Sequence, residues 1–158
     1  MTSPKASLLR RTNVIKEAAC EEMLTSAQEH AFTEIKEHRE DEAQFINLYG
    51  PQYAGKTFLC WVIQQTTDWV YYQAVSDNPD TPTVIYDHGD PERRATRNLR
   101  NHASINGLAT VVYVTRRPAD EIYPRVELQP GDGHYQQVAE NWEDLDLDTE
   151  SAPALIQQ

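Results

Sequence analysis

The sequence predicts an α/β fold: one domain with a mainly parallel sheet held between helices as three layers. Three observations predict it. A chain of 158 residues has room for a single core and not for two. Between Ala43 and Arg125, short apolar runs rich in Val, Ile and Tyr recur, and they are apolar throughout, as in strands buried on both faces. Segments of helical length and composition separate them, the alternation that a parallel sheet requires of its crossovers.

Taken in order, residues from Leu8 to about Glu42 contain good helix formers and no glycine, and Val14, Ala18, Leu24, Ala27, Ala31 and Ile35 recur at spacings of three and four. They define an N-terminal helical extension over residues 1–42 whose apolar face docks on the rest. Strands are expected at Phe45 to Tyr49, Trp69 to Val75, Thr83 to Tyr86 and Thr110 to Val114. One helix fits from about Lys56 to Thr66. Another fits from Pro91 to Asn106, with Asp90 as its N-cap, proline at its first position and Gly107 just past its end. Arg125 to Gln129 and His134 to Glu140 flank the turn signal PGDG, which suggests a C-terminal hairpin closing a core of residues 43–140. The acidic segment 141–158 is expected to be a mobile tail.

Composition removes several classes of function. No apolar run approaches the roughly 20 residues of a membrane-spanning helix. The first residues, MTSPKASLLRRTNV, lack the apolar core of a secretory signal, so the expected location is cytoplasmic. Cys20 and Cys60 are too few for a disulfide scaffold and are expected as buried thiols. With 25 acidic against 14 basic residues, the net charge of −11 disfavours a polyanion as partner for the surface as a whole. Only Lys5, Lys16, Lys36 and Lys56 are lysines, and arginine supplies the remaining basic charge. Sparse lysine with abundant carboxylates resembles proteins of halophiles, which balance external salt with internal salt.

Chemistry concentrates in one stretch. Gly50 to Thr57 reads GPQYAGKT, which meets the pattern G-x-x-x-x-G-K-[ST] at every fixed position, between the apolar strand FINLY and the helical TFLCWVIQQ. Glycine at Gly50 and Gly55 permits turns that bring backbone N–H groups onto phosphate oxygens at a helix N-terminus. Lys56 adds a point charge within reach of the β- and γ-phosphates, and the Thr57 hydroxyl suits a magnesium shell otherwise filled by water and phosphate. The expected nucleotide-binding set is Gly50, Pro51, Gln52, Tyr53, Ala54, Gly55, Lys56, Thr57 and Phe58, with ATP and Mg2+ as cofactors.

Over roughly Ala43 to Leu128 the chain resembles the P-loop NTPases. TVIYDHGD is an apolar strand ending in Asp87, the position of a Walker B aspartate. The strand expected at Trp69 to Val75 suits the additional-strand class, which includes AAA+, RecA-like and genome-packaging ATPases. In that class the resemblance implies that Asp87 and Thr57 serve the magnesium ion and that Thr115, at the tip of a buried strand, is a polar sensor of the γ-phosphate. It also implies an arginine finger reaching a neighbour's site, for which Arg116, Arg117 and Arg125 are candidates. The chain departs from the pattern at His88, where a water-activating glutamate often follows the aspartate. His88, Asp90 and Glu92 are the local candidates for that role, and HGDPE also reads as a turn and helix cap. The resulting candidate catalytic set is Lys56, Asp87, His88, Thr115 and Arg116.

Arg93, Arg97 and Arg100, with Arg94 beside them, form a basic stripe on one helix face, suited to a nucleic-acid backbone, to a neighbouring subunit, or to carboxylates of the same chain. Trp61, Trp69, Trp142 and the tyrosines of WVYYQ are expected as core residues without a ligand role. The favoured reading is a homo-oligomeric ATPase acting on nucleic acid or a macromolecular assembly, of viral or plasmid replication or packaging type. The rivals are a small-molecule kinase and a non-hydrolysing nucleotide-binding module. Because the surplus negative charge repels itself unless screened, thermal melts should rise from low salt to molar KCl; a melting temperature that falls or stays level contradicts the halophile reading.

Overall fold

The computed structural model describes residues 21–129 except Tyr53. Five strands, β1 (Phe45–Tyr49), β2 (Val70–Tyr72), β3 (Thr83–Tyr86), β4 (Thr110–Thr115) and β5 (Arg125–Glu127), form one sheet in the order β2-β3-β4-β1-β5. All four pairings are parallel. Helix α1 (Ser26–Glu40) and helix α2 (Lys56–Thr66) cover one face, and α3 (Arg93–Asn106) covers the other.

Strand alternation divides the core between these layers. Ile46 and Leu48 of β1, with Val112 and Val114 of β4, pack with Phe32 and Ile35 of α1 and with Leu59, Val62 and Ile63 of α2. Val111 and Tyr113 of β4, with Val84 and Tyr86 of β3, pack with Leu99 and Ala103 of α3. Strands β3 and β4 are buried along their whole length, as their unbroken apolar runs require. Strand β2 is shorter than the Trp69 to Val75 segment suggests. Among the described residues it is an edge strand with β3 as its single neighbour, and its outer residues are only partly buried.

Helix α1 does not continue unbroken through the described part of the Leu8 to Glu42 segment. A 3-10 turn, Glu21–Met23, precedes a new start at Thr25, whose side chain caps the helix in a reciprocal box with Gln28. Leu24 is buried ahead of the helix, and Phe32 joins Ala31 and Ile35 in the core. Residues 1–20, including Cys20, lie outside the described residues. Helix α3 starts two residues later than expected, at Arg93 with Glu92 at the N-cap; Asp90 instead accepts the Glu92 N–H at 2.8 Å in the preceding turn. Gly107 ends that helix in the left-handed region, φ 62°, as expected for its residue type.

Strand β5 corrects half of the expected hairpin: its partner is β1, parallel, and Leu128 and Gln129 lie beyond it. His134 to Glu140, the other arm, and the acidic segment 141–158 with Trp142 fall outside the described residues. The loop 116–124 carries the chain from β4 past β1 to the opposite edge without a helix. Buried Asn47 holds it down: its amide donates to Tyr113 O at 2.9 Å and Thr115 Oγ1 at 3.1 Å, and its carbonyl accepts the Ala119 N–H at 2.8 Å.

Gly50 is required here by a close approach. A Cβ at this position would stand 2.0 Å from the carbonyl oxygen of Leu128, in the segment that follows β5 and bonds back to Tyr49 O. Gly50→Ala should therefore lower the unfolding free energy by about 1–3 kcal/mol, as overpacking does. Urea denaturation checks this, and a variant as stable as the wild type contradicts the contact.

Candidate functional site

The C-terminal ends of β1, β3 and β4 and the loop into α2 surround a cleft of about 480 Å3. This is where open parallel sheets place their ligands. Gln52, Ala54, Gly55, Lys56 and Thr57 line one side; Asp87 and His88 line another, and Thr115, Arg116 and Arg117 a third. All five expected catalytic positions, Lys56, Asp87, His88, Thr115 and Arg116, meet here.

The loop is shaped by Gly55. It stands at the N-cap of α2 in the left-handed region, φ 87°, and brings no side chain to cap the helix. The first-turn amides of a helix have no partner within it, so this end of α2 is a donor surface facing the cleft. Within the rest of the expected nucleotide-binding set, Pro51 contributes its carbonyl, Ala54 packs into the core, and Phe58 lies edge-on to Trp61 against the core. Tyr53 is outside the described residues.

Lys56 Nζ donates to Gly50 O at 2.5 Å and Pro51 O at 2.9 Å, closing the loop on itself. Partial burial, and then Arg116 nearby, hold its ammonium pKa below the usual value, against the opposing pull of Asp87.

Asp87 is 3% exposed and surrounded by donors. Its Oδ2 accepts from Thr57 Oγ1 at 2.7 Å and from Tyr71 Oη at 2.7 Å, and its Oδ1 accepts the N–H of His88 at 2.8 Å. Burial, then the charge and hydrogen bond of Asp87, push the Tyr71 phenol far above its ordinary pKa, so it stays a donor. Cys60, one turn from Lys56 and buried, has its thiol pushed well upward by burial and then by Asp87, and it remains the inert core thiol that its position suggests.

His88 adopts φ 53°, an uncommon backbone state for a residue with a side chain, costing on the order of 1–3 kcal/mol. Its ring is 53% exposed, with Nε2 3.6 Å from Asp87 Oδ2. The next residue, Gly89, donates its N–H to Val114 O and lies so close to the Tyr113 ring that a Cβ would meet it at 2.5 Å. Tyr113 Oη in turn donates to Asp90 O. The loop after β3 is thereby locked onto β4.

Several candidates already have partners within the chain. Thr115 is buried and faces the cleft, but its hydroxyl donates to Arg117 O at 2.5 Å. Arg117 pairs with Glu92, so Glu92 is engaged at the cleft rim instead of facing into it. Arg125 is engaged within its own chain: it donates to Ala119 O at 2.9 Å and stacks on Tyr123 at 4.2 Å. The basic stripe is partly spent internally, since Arg100 donates to Glu121 O and Arg93 lies 3.7 Å from the Glu121 carboxylate. Arg94 and Arg97 are exposed. Trp61 and Trp69 are core residues, as expected.

Tyr71 is the site residue that sequence reasoning missed. The alternation within WVYYQ points it to the α2 face, but its bond to Asp87 depends on the register that sets Tyr71 beside Ile85. No family model matches the chain, and it matches neither a curated protein nor a solved structure. No described helix is long and apolar enough to cross a membrane.

Because Thr57 and Tyr71 share one acceptor oxygen, their removal should not be additive. Tyr71→Phe and Thr57→Val are each expected to lower stability by about 1–3 kcal/mol, with a coupling of at least about 0.5 kcal/mol in a double-mutant cycle. Strict additivity in urea denaturation contradicts the shared bond.

Proposed function

We propose that the chain is a P-loop nucleoside triphosphatase of the additional-strand class, binding MgATP in the cleft at the tips of β1, β3 and β4. The observation that carries this reading is the meeting, in one cleft, of the loop Gly50 to Thr57 with Asp87 across a 2.7 Å bond from Thr57. The strand order supports it: β4 separates the loop strand β1 from the Asp87 strand β3 and ends in Thr115. It is β4, and not the edge strand β2, that plays the separating part in space.

The residues present fit a magnesium ion arriving with nucleotide. Asp87 and Thr57 offer adjacent hard oxygen donors at the cleft, and magnesium is typically held by one or two protein oxygens, with phosphate and water completing its shell. Among the described residues no group of three His, Cys, Asp or Glu side chains gathers to hold a metal unaided. When bound, the ion neutralises phosphate charge and orients the β- and γ-phosphates. Thr57 can donate its proton to Asp87 while turning a lone pair outward. Lys56 exchanges its two loop carbonyls for phosphate oxygens, and the amides at the start of α2 cradle the same anion.

For hydrolysis, a group must take a proton from the attacking water. Of His88, Asp90 and Glu92, only His88 lines the cleft, and its half-exposed ring would turn from Asp87 toward a water beside the γ-phosphate. Arg116 and Arg117 line the same cleft, Arg117 paired with Glu92 at its rim, and they are the candidates to stabilise transition-state charge, in their own chain or in a neighbour. The wider reading, a homo-oligomer acting on nucleic acid or an assembly, draws on the α3 stripe, in which Arg93, Arg94, Arg97 and Arg100 are all exposed and Arg93 and Arg100 are engaged with Glu121. A non-hydrolysing nucleotide-binding module is the second reading, favoured by histidine following Asp87 and by the bond tying the His88 backbone to that carboxylate.

A steady-state ATPase assay with and without DNA tests the proposal. Lys56→Ala should abolish turnover and weaken ATP binding by about 10- to 100-fold with the fold intact, and His88→Ala should lower kcat by about 100-fold or more. Wild-type ATP affinity in Lys56→Ala contradicts the phosphate-loop reading. Binding without turnover in the wild type replaces the ATPase with the module.

A further inference from the structure

Gln28, in the first turn of α1, is 2% exposed and shares its helix face with buried Ala31, Phe32 and Ile35. Both ends of its amide are engaged. Oε1 accepts the Thr25 N–H at 2.9 Å, while Thr25 Oγ1 accepts the Gln28 N–H at 3.2 Å, closing the cap of α1. Nε2 donates to the carbonyl of Gly55 at 3.1 Å, 27 residues further along the chain. That carbonyl also accepts the Leu59 N–H at 3.1 Å, as the first bond of α2, so Gln28 fills its second lone pair.

The bond lands on the most consequential peptide of the loop. Gly55 has a left-handed backbone and no side chain to fix it, and its C=O lies in one rigid plane with the N–H of Lys56, pointing the opposite way. Whatever holds the carbonyl aims the amide. For packing alone, an apolar side chain would serve this buried position without the cost of burying an amide.

We propose that Gln28 is a positioning residue for the nucleotide loop: it fixes the Gly55–Lys56 peptide plane so that the Lys56 N–H faces the phosphate site. This rests on the reading of Gly50 to Thr57 as a phosphate-binding loop. It makes α1 part of the site, because the amide that orients the loop is the one that closes the helix cap.

The test compares Gln28→Glu, which keeps the acceptor for Thr25 and loses the donor to Gly55, with Gln28→Met, which keeps the volume and folds without a buried charge. Thr25→Ala is the control, weakening the cap while leaving the bond to Gly55. Two readouts are taken on the full chain: hydrogen exchange of the loop amides without nucleotide, and calorimetric titration with MgATP. Both Gln28 variants should exchange the amides of Ala54 and Leu59, bonded to Pro51 O and Gly55 O, about tenfold faster and bind MgATP about tenfold more weakly, equivalent to ~1.4 kcal/mol. Thr25→Ala should change exchange in the first turn of α1 and leave the loop and the affinity within about twofold of wild type. Wild-type loop exchange in Gln28→Met overturns the proposal, as does a Thr25→Ala variant that matches it in both readouts. A wild-type chain that binds no MgATP removes the nucleotide reading, while the exchange comparison still decides whether Gln28 holds the loop.

Discussion

A carboxyl group buried at the end of a parallel strand must find donors, and the site is organised around how Asp87 does so. Thr57 reaches it from α2, Tyr71 from β2, and the His88 amide from its own loop. These three bonds join the helix that follows the loop, an edge strand and a central strand at one point. Replacing the carboxyl group would remove at once the acceptor of two hydroxyls and one amide that come from three different elements.

A second polar centre does the same for the other side of the cleft. Asn47 occupies a strand position where its neighbours are apolar, and it satisfies all its contacts with the end of β4 and the loop beyond it. That anchor adds to buried Ala119 and Ile122 and to the bond from the Asp120 N–H to Pro91 O in holding a crossover without a helix over the sheet. Asp87 and Asn47 together place Thr115 and Arg116 opposite Lys56, so the cleft is walled by two satisfied polar networks set in an apolar core. Such networks favour a single arrangement, since partial satisfaction is costly in a low-dielectric interior.

Much of this was legible in the sequence where the signals are local. Strands β1 and β3 and helix α2 fall on their expected bounds, because a continuous apolar run, the glycine loop and the helix formers each act within a few residues. The five catalytic candidates converge because strand tips in a parallel sheet share one end. What escaped depends on partners far along the chain. The length of β2 is set by its edge position, the need for Gly50 by Leu128, and the role of Tyr71 by the register of β2 on β3. Arg125 reads as a free cation until Ala119 and Tyr123 are placed beside it. The start of α1 was readable, as Thr25 and Gln28 have the spacing of a capping box, but the helix formers on both sides obscured it.

The central claim is that the cleft binds a nucleoside triphosphate together with magnesium. Calorimetric titration of the wild-type chain with ATP, in magnesium and again in EDTA, addresses it directly. The account predicts saturable binding in magnesium that weakens by at least about tenfold when the ion is removed. Absence of binding in magnesium, or an affinity indifferent to EDTA, would contradict it.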